Sequence, residues 1–208
     1  MLDRTRRLWE QQVGLVGDRR SLYESVADHV DAATVLYAGS YVDLTPAFTW
    51  PDVTFVDLDK RANRFFTDLE GVDELLTENG ADPATHGVRF IHGSYAGELD
   101  IADGSVDLLV SLYAGLVSEH CTRYLRVGGT LLANASHGDV ALASIDDRYR
   151  LSGVVTHRDG VYPVRTDGLD EHLVPKRQIE LTPELIRERG KGVSYTKSAF
   201  AYLFERVA

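Results

Sequence analysis

Residues 34–60 constrain the fold most, because they join two short apolar runs through a tight turn. The run TVLYA leads into Gly39, and a second run, VTFV, leads into Asp57. Short β-branched runs bounded by turn residues are typical of strands. Asp57 follows Gly39 by 18 residues, which is close to the spacing at which an acidic side chain meets a ribose. The stretch therefore predicts an α/β fold that opens on a nucleotide-type binding site.

The remaining sequence predicts further elements of the same fold. Strand-like runs occupy residues 88–91, 105–112 and 198–207, and residues 124–135 predict a helix end, a glycine turn and a buried strand. Apolar residues at three- and four-residue steps predict helices at residues 2–13, 20–29 and 60–79. Residues 146–168 predict an antiparallel hairpin or lid that turns at Asp159 and Gly160, and residues 182–189 predict a helix capped by Thr182 and ended by Gly190.

Two segments in this pattern, VDLD around Asp57 and LRVGG at residues 125–129, resemble the class I S-adenosylmethionine-dependent methyltransferases. The resemblance covers residues 32–136. It implies a Rossmann-like three-layer α/β/α sandwich with a mostly parallel seven-stranded sheet and an antiparallel edge. One domain of residues 1–208 is expected, with N-terminal helices in 1–31, a cofactor-type core in 32–136, and a C-terminal hairpin or lid with edge strands in 137–208.

The resemblance also implies S-adenosylmethionine as cofactor, and it assigns roles to particular residues. The methionine-side loop would contain Ala38, Gly39 and Ser40, the ribose would meet Asp57, the adenine edge would meet Ser94, and Ser111 would close the fourth strand toward the substrate. Tyr41 and Asp43 stand where the family has its second and third glycines. The first hypothesis is therefore a methyltransferase that acts on a small molecule.

Tyr41 and Asp43 support a second hypothesis, in which the scaffold has lost the cofactor. Glycines keep a loop bare so that a ligand can approach its backbone, whereas these two side chains project from it. Asp43 is then a candidate general base, with Tyr41 as a catalytic or substrate-binding group, for a displacement or cyclisation in secondary metabolism. An equally weighted alternative makes Asp43 the cap of a helix that begins near residues 44–46.

His137 is a further catalytic candidate, because Asp139 follows it closely and a carboxylate can orient an imidazole that accepts a proton. The alternative interpretation is a solvated loop after a strand. A third class of function, a non-catalytic binding or partner subunit, would follow if the protein's own tyrosines filled the pocket. A homodimer or a heterodimer is compatible with each hypothesis.

Composition narrows the class of protein. The formal net charge of −10 argues against a nucleic-acid substrate bound through its phosphates. Five arginines near the N-terminus are interspersed with acids and predict a solvated helix face: Arg4, Arg6, Arg7, Arg19 and Arg20. One cysteine, no paired histidine ligands and no long apolar run predict a cytoplasmic protein without a metal site or a membrane partner.

Overall fold

Strand β1 (Thr34–Ala38) is buried on both faces, and this burial fixes a three-layer arrangement. Its side chains alternate between two cores, as the pleat of a strand requires. Val35 and Tyr37 belong to one core, and Leu36 and Ala38 belong to the other. The computed structural model, which describes residues 2–208, accordingly has helices on both faces of one sheet.

In the described part of the chain, the sheet has eight strands in the order β3-β2-β1-β4-β5-β8-β6-β7. After β1, the strands are β2 (Asp52–Asp57), β3 (Gly87–His92), β4 (Val106–Ser111), β5 (Leu125–Ala133), β6 (Tyr149–Val155), β7 (Val164–Arg165) and β8 (Ala201–Arg206). Strands β1 to β5 are parallel, whereas β8 is antiparallel to both β5 and β6. The predicted Rossmann-like fold is confirmed, but the predicted number of seven strands is wrong because the two-residue β7 adds an eighth.

Within residues 2–208, seven α-helices cover the sheet: α1 (Asp3–Val16), α2 (Arg20–Ala27), α3 (Lys60–Phe66), α4 (Leu69–Glu78), α5 (Val117–Cys121), α6 (Asp139–Ser144) and α7 (Pro183–Arg189). The single helix predicted for residues 60–79 is two, because the Asp68 side chain accepts a hydrogen bond from Gly71 N and starts a new helix. Within residues 2–208, no helix combines the length and apolarity needed to cross a bilayer.

The C-terminal part confirms its predicted turn and cap chemistry. Asp159 and Gly160 have φ angles of 52° and 77°, which suit the tight turn of a two-residue hairpin. Thr182 accepts a hydrogen bond from Leu185 N, and the left-handed Gly190 ends α7. The hairpin turn contacts the start of α2, where Ser21 Oγ donates to Gly160 O over 3.0 Å.

Strand β5 begins earlier than predicted. It runs from Leu125 through Gly128 and Gly129, and the pairing with β4 shifts register between Val106 and Leu108. The two glycines are therefore part of a strand with an irregularity rather than a turn that precedes it. After the irregularity, the last residues of the two strands, Ser111 of β4 and Ala133 of β5, lie side by side. Polar side chains follow both strands at this point.

Candidate functional site

The candidate site lies at the carboxyl ends of β1, β2, β4 and β5. Strand order reverses between β1 and β4, and open α/β sheets bind ligands at such a switch point. Four loops meet there, at residues 39–44, 57–59, 112–116 and 134–138.

The loop after β1 is held by Asp57 rather than by glycines. Asp57 Oδ2 accepts a hydrogen bond from Tyr41 N over 2.7 Å, and Oδ1 accepts one from Asp59 N over 2.7 Å. Tyr41 has a φ of 49°, a left-handed conformation that costs a non-glycine residue about 1–3 kcal/mol. The Asp57 carboxylate is the partner that stabilises this strained backbone. Above the Tyr41 ring, the Arg61 guanidinium lies 5.0 Å from the ring centroid.

Asp43 belongs to a buried ion pair. The Arg19 Nη1 atom donates to Asp43 Oδ2 over 2.9 Å, and the two side chains are 5% and 2% exposed. The hydroxyls of Tyr23 and Tyr37 donate to the same oxygen over 3.2 and 3.3 Å. The other oxygen accepts from Thr45 N over 3.3 Å, in the first turn of the 3-10 helix Thr45–Phe48. Asp43 thus supports both a helix start and a buried cation.

Charge and burial act in opposite directions on Arg19. Burial lowers the pKa of the Arg19 guanidinium, but the neighbouring Tyr37, Tyr23 and Asp43 raise this pKa by more than burial lowers it. The net pKa of Arg19 therefore lies above its ordinary value. Burial, reinforced by Asp43, raises the pKa of Tyr23 and of Tyr37. Tyr113 has a φ of 59° and is half exposed. The centroid of its ring lies 5.2 Å from Arg19 Cζ. The network therefore contains a stable cation covered by an aromatic ring.

Asp139 lies at the same edge but contacts hydroxyl groups instead of a cation. Ser111 Oγ donates to Asp139 Oδ2 over 2.5 Å, and Ser118 donates to Oδ1 through Oγ over 2.5 Å and through N over 2.9 Å. Burial raises the pKa of Asp139, and the hydrogen bonds from the two serines offset only part of that effect. The arrangement joins β4, α5 and α6, and it occupies the Ser111 hydroxyl within the protein.

His137 is oriented by serine rather than by Asp139. Its Nδ1 atom lies 2.8 Å from Ser136 Oγ, and Ser136 Oγ donates to Asn134 Oδ1 over 2.7 Å. The same Asn134 oxygen accepts from Tyr113 N over 3.1 Å. Asn134 therefore fixes the loops after β4 and β5 relative to each other. The expected pairing of His137 with Asp139 is replaced by this chain, which leaves the imidazole exposed.

Tyr95, in the loop after β3, bonds the loop after β4 and lies beside Gly39 of the loop after β1. Its hydroxyl accepts a hydrogen bond from Gly115 N over 3.0 Å. A Cβ atom placed on Gly39 would lie 2.7 Å from Ala114 Cβ and 3.8 Å from Tyr95 Cε1. The loops after β1 and β4 are thus in direct contact beside the Tyr95 ring.

Comparisons with known proteins identify the fold. No family model matches the sequence, and no curated protein matches it. A solved S-adenosylmethionine-dependent methyltransferase from Thermotoga maritima, described as a possible histamine N-methyltransferase, matches with a TM-score of 0.50 at 11% identity, over 96% of this chain and 94% of that one. The fold is that of the class I methyltransferases. The predicted resemblance is confirmed at this level.

Two further solved methyltransferases are less similar in structure. One from Aquifex aeolicus matches with a TM-score of 0.48 at 15% identity, over 79% of this chain and 99% of that one. One from Methanococcus maripaludis matches with a TM-score of 0.42 at 18% identity. That match covers 55% of this chain and 54% of the other, so it spans about half of that protein.

The residues at the switch point do not fit S-adenosylmethionine in the position that the methyltransferase fold implies. The fold implies a cofactor in the crevice at this switch point, and there Gly39 packs directly against Ala114 of the loop after β4. Tyr41 replaces a glycine, and the Asp57 oxygens each hold a backbone amide. Among the expected contact residues, Ala38 and Ser40 are buried, Ser94 Oγ accepts from Ala96 N, and Ser111 holds Asp139.

Sequence reasoning missed two residues that shape the site. Arg19 was expected on a solvated helix face but is 4% exposed, because the break at Gly17 and Asp18 turns it away from α1 and into the core. No local signal in the sequence marks Arg19 for burial, because its partner Asp43 lies 24 residues further along the chain. Tyr95 followed Ser94 in a loop, and nothing in the local pattern indicated that it would reach Gly115.

Proposed function

We propose that this chain is a methyltransferase-fold enzyme that transforms a small molecule without S-adenosylmethionine. The observation that carries the proposal is the direct contact of Gly39 with Ala114 beside the Tyr95 ring, which we interpret as closing the crevice to the cofactor. The closure leaves the outer part of the same edge, around Tyr113 and His137, as the region where a substrate can meet reactive side chains.

His137 is the best-placed general base in this proposal. Imidazole can accept and return protons near neutral pH, and Ser136 and Asn134 fix the orientation of this ring. The substrate's own hydroxyl or amine would lose its proton to His137 as it displaces a leaving group within the same molecule. Asp43 and Tyr41 take supporting roles, since Asp43 neutralises Arg19 and the Tyr41 amide holds Asp57.

One observation favours a second candidate, a methyltransferase that uses S-adenosylmethionine. Asp57 lies half-buried at the end of β2, where the resemblance implies a ribose-binding carboxylate. A carboxylate oxygen that accepts one backbone hydrogen bond retains a second lone pair for another donor. A loop movement that separates Gly39 from Ala114 would make this candidate possible.

Calorimetric titration with S-adenosylmethionine and S-adenosylhomocysteine distinguishes the candidates. We expect no binding heat for the wild-type protein with either compound. The double variant Tyr41→Gly with Tyr95→Ala removes the Tyr41 side chain from the loop after β1 and the Tyr95 ring from beside Gly39. It tests whether the packing of these two side chains prevents S-adenosylmethionine from binding. Binding by the wild-type protein in the micromolar range would overturn the proposal in favour of the methyltransferase.

Catalysis itself is tested by incubating the protein with a metabolite extract and following mass changes by untargeted mass spectrometry. A product should appear with wild-type protein, and His137→Gln should slow its formation by about 10²–10⁴-fold. His86→Gln is the matched control, because His86 is a half-buried histidine next to the amino end of β3, on the opposite edge. Turnover that is unaffected by His137→Gln contradicts the assignment of the base, and the absence of any product supports a binding subunit instead.

A further inference from the structure

A second concave site lies outside the loops described so far. A cavity of about 400 Å³ opens between residues 175–179, which follow the 3-10 helix Leu169–Leu173, and residues 189–194, at the end of α7. Its lining residues are Pro175, Lys176, Arg177, Gln178, Ile179, Arg189, Val193 and Ser194. Small-molecule sites in proteins are concave, largely apolar and supplied with a few placed polar groups.

Three of the lining side chains are cations without an acidic partner. Within residues 2–208, no ion pair or side-chain hydrogen bond engages Lys176, Arg177 or Arg189, whereas Arg187 on the same helix binds Glu119 over 2.7 Å. This grouping stands out in a chain with a formal net charge of −10. Unpaired cations around a concave surface raise the local concentration of anions.

The walls of the cavity are held together by backbone hydrogen bonds. Lys176 N donates to Ser194 O over 2.8 Å, and Thr196 N donates to Val174 O over 2.8 Å. Pro175, Ile179 and Val193 supply apolar surface between the cations. Because the two segments are paired, the backbone that carries Pro175 and Lys176 on one side and Ser194 on the other is preformed.

The cavity adjoins the loop after β5. Gly192 N donates to Ser136 O over 3.0 Å, and a Cβ atom at Gly192 would collide with the carbonyl oxygen of Ala135. Only glycine permits this approach. A ligand in the cavity would therefore lie next to the segment that carries His137.

The simplest alternative explanation covers only one of the cations. Arg189 is in the last turn of α7, where a positive charge stabilises the carbonyl end of a helix. Lys176 and Arg177 come from a separate segment and converge on the same cavity. We propose that this cavity binds a small organic anion, with a phosphate or carboxylate group held by Arg177, Arg189 and Lys176 and an apolar body held by Pro175, Ile179 and Val193.

Titration calorimetry with four probes tests the site: phenyl phosphate, phenylacetate, inorganic phosphate and benzyl alcohol. Phenyl phosphate and phenylacetate carry both an anionic group and an apolar body, and at least one of them should bind more tightly than the two partial probes. The tighter of the two identifies the anionic group. Its affinity should fall as ionic strength rises, since exposed charges are screened by salt.

Arg177→Gln and Arg189→Gln should each weaken that affinity by about tenfold or more, because each removes a charge-assisted hydrogen bond. Arg64→Gln is the matched control, since Arg64 is also exposed in the last turn of a helix but lies far along the chain, on α3. Equal affinities in all three variants, or no binding of any probe by the wild-type protein, would overturn the proposal. The outcome is independent of the His137 experiments, because no probe requires turnover.

Discussion

Asp43 and Asp139 lie at the same edge of the sheet and are buried to the same extent, at 2% and 1% exposure. Their partners differ. Asp43 contacts the Arg19 guanidinium and two tyrosine hydroxyls, whereas Asp139 contacts only hydroxyl and amide groups. Burial of a charge is costly unless a partner compensates it. The comparison shows that two equally buried carboxylates can be stabilised by different partners, a cation at Asp43 and neutral hydroxyl and amide groups at Asp139.

This difference bears on the choice of a catalytic base. The Asp43 carboxylate is enclosed by its partners, and the serines occupy both oxygens of Asp139. His137 is an exposed imidazole at the same edge. The two aspartates therefore stabilise the loops that position His137 and Tyr113.

The largest effect should come from breaking the ion pair. Arg19→Met leaves the Asp43 carboxylate buried without its cation, and removal of one partner of such a pair typically costs about 3–5 kcal/mol. Asp43→Asn should cost a similar amount, because it leaves Arg19 unpaired. Urea unfolding measures both losses.

The double variant Arg19→Met with Asp43→Leu is the decisive control for that prediction. It removes both charges, so it should recover a large part of the stability that either single variant loses. Arg20→Met, at the adjacent position, is a further control. It removes a hydrogen bond to Asn79 but leaves no buried charge unpaired. A double variant as unstable as the sum of its singles would mean that the pair contributes through packing and not through charge.

Asp139→Asn should have a smaller effect on stability, below about 2 kcal/mol at neutral pH. The amide keeps an oxygen for Ser118 and removes the buried charge. Its clearer effect should be on pH dependence. Because the pKa of Asp139 is raised in the folded state, its contribution to stability is fully present below the ordinary aspartate pKa and is lost as pH rises through the folded pKa.

Denaturant midpoints measured from about pH 4 to about pH 7 check this sign. The wild-type midpoint should decline over part of that range, and Asp139→Asn should remove that component of the decline. Asp146→Asn is the control that should leave the profile in this range unchanged, since the hydrogen bond from Arg148 lowers the pKa of Asp146 and its contribution is lost only as pH falls below the ordinary aspartate pKa. Equal pH profiles for wild-type and Asp139→Asn proteins would show that Asp139 does not titrate with folding.

Local sequence predicted the elements that depend on local chemistry. Strand β1, the hairpin turn at Asp159 and Gly160, and the cap at Thr182 follow from periodicity and side-chain hydrogen bonding over a few residues. Burial of Arg19 could not be predicted in this way, because it depends on Asp43, 24 residues away. The Tyr95 contact with Gly115 likewise spans 20 residues and forms only after the parallel strands are aligned.

The smallest expected effect concerns Tyr113. Its ring contacts the Arg19 guanidinium of the Asp43 ion pair, and within residues 2–208 Asp139 has no comparable aromatic partner. The Tyr113 ring lies 5.2 Å from Arg19 Cζ, and a cation over a half-exposed aromatic face contributes about 0.5–1 kcal/mol. Tyr113→Leu should lower the free energy of unfolding by about that amount, whereas Tyr113→Phe keeps the ring and should leave it unchanged. In the Arg19→Met background, Tyr113→Leu should have no further effect, because the cation is gone. A loss that persists in that background would assign the contribution of Tyr113 to apolar contact, and the charge pair would then rest on Asp43 and the two buried tyrosines alone.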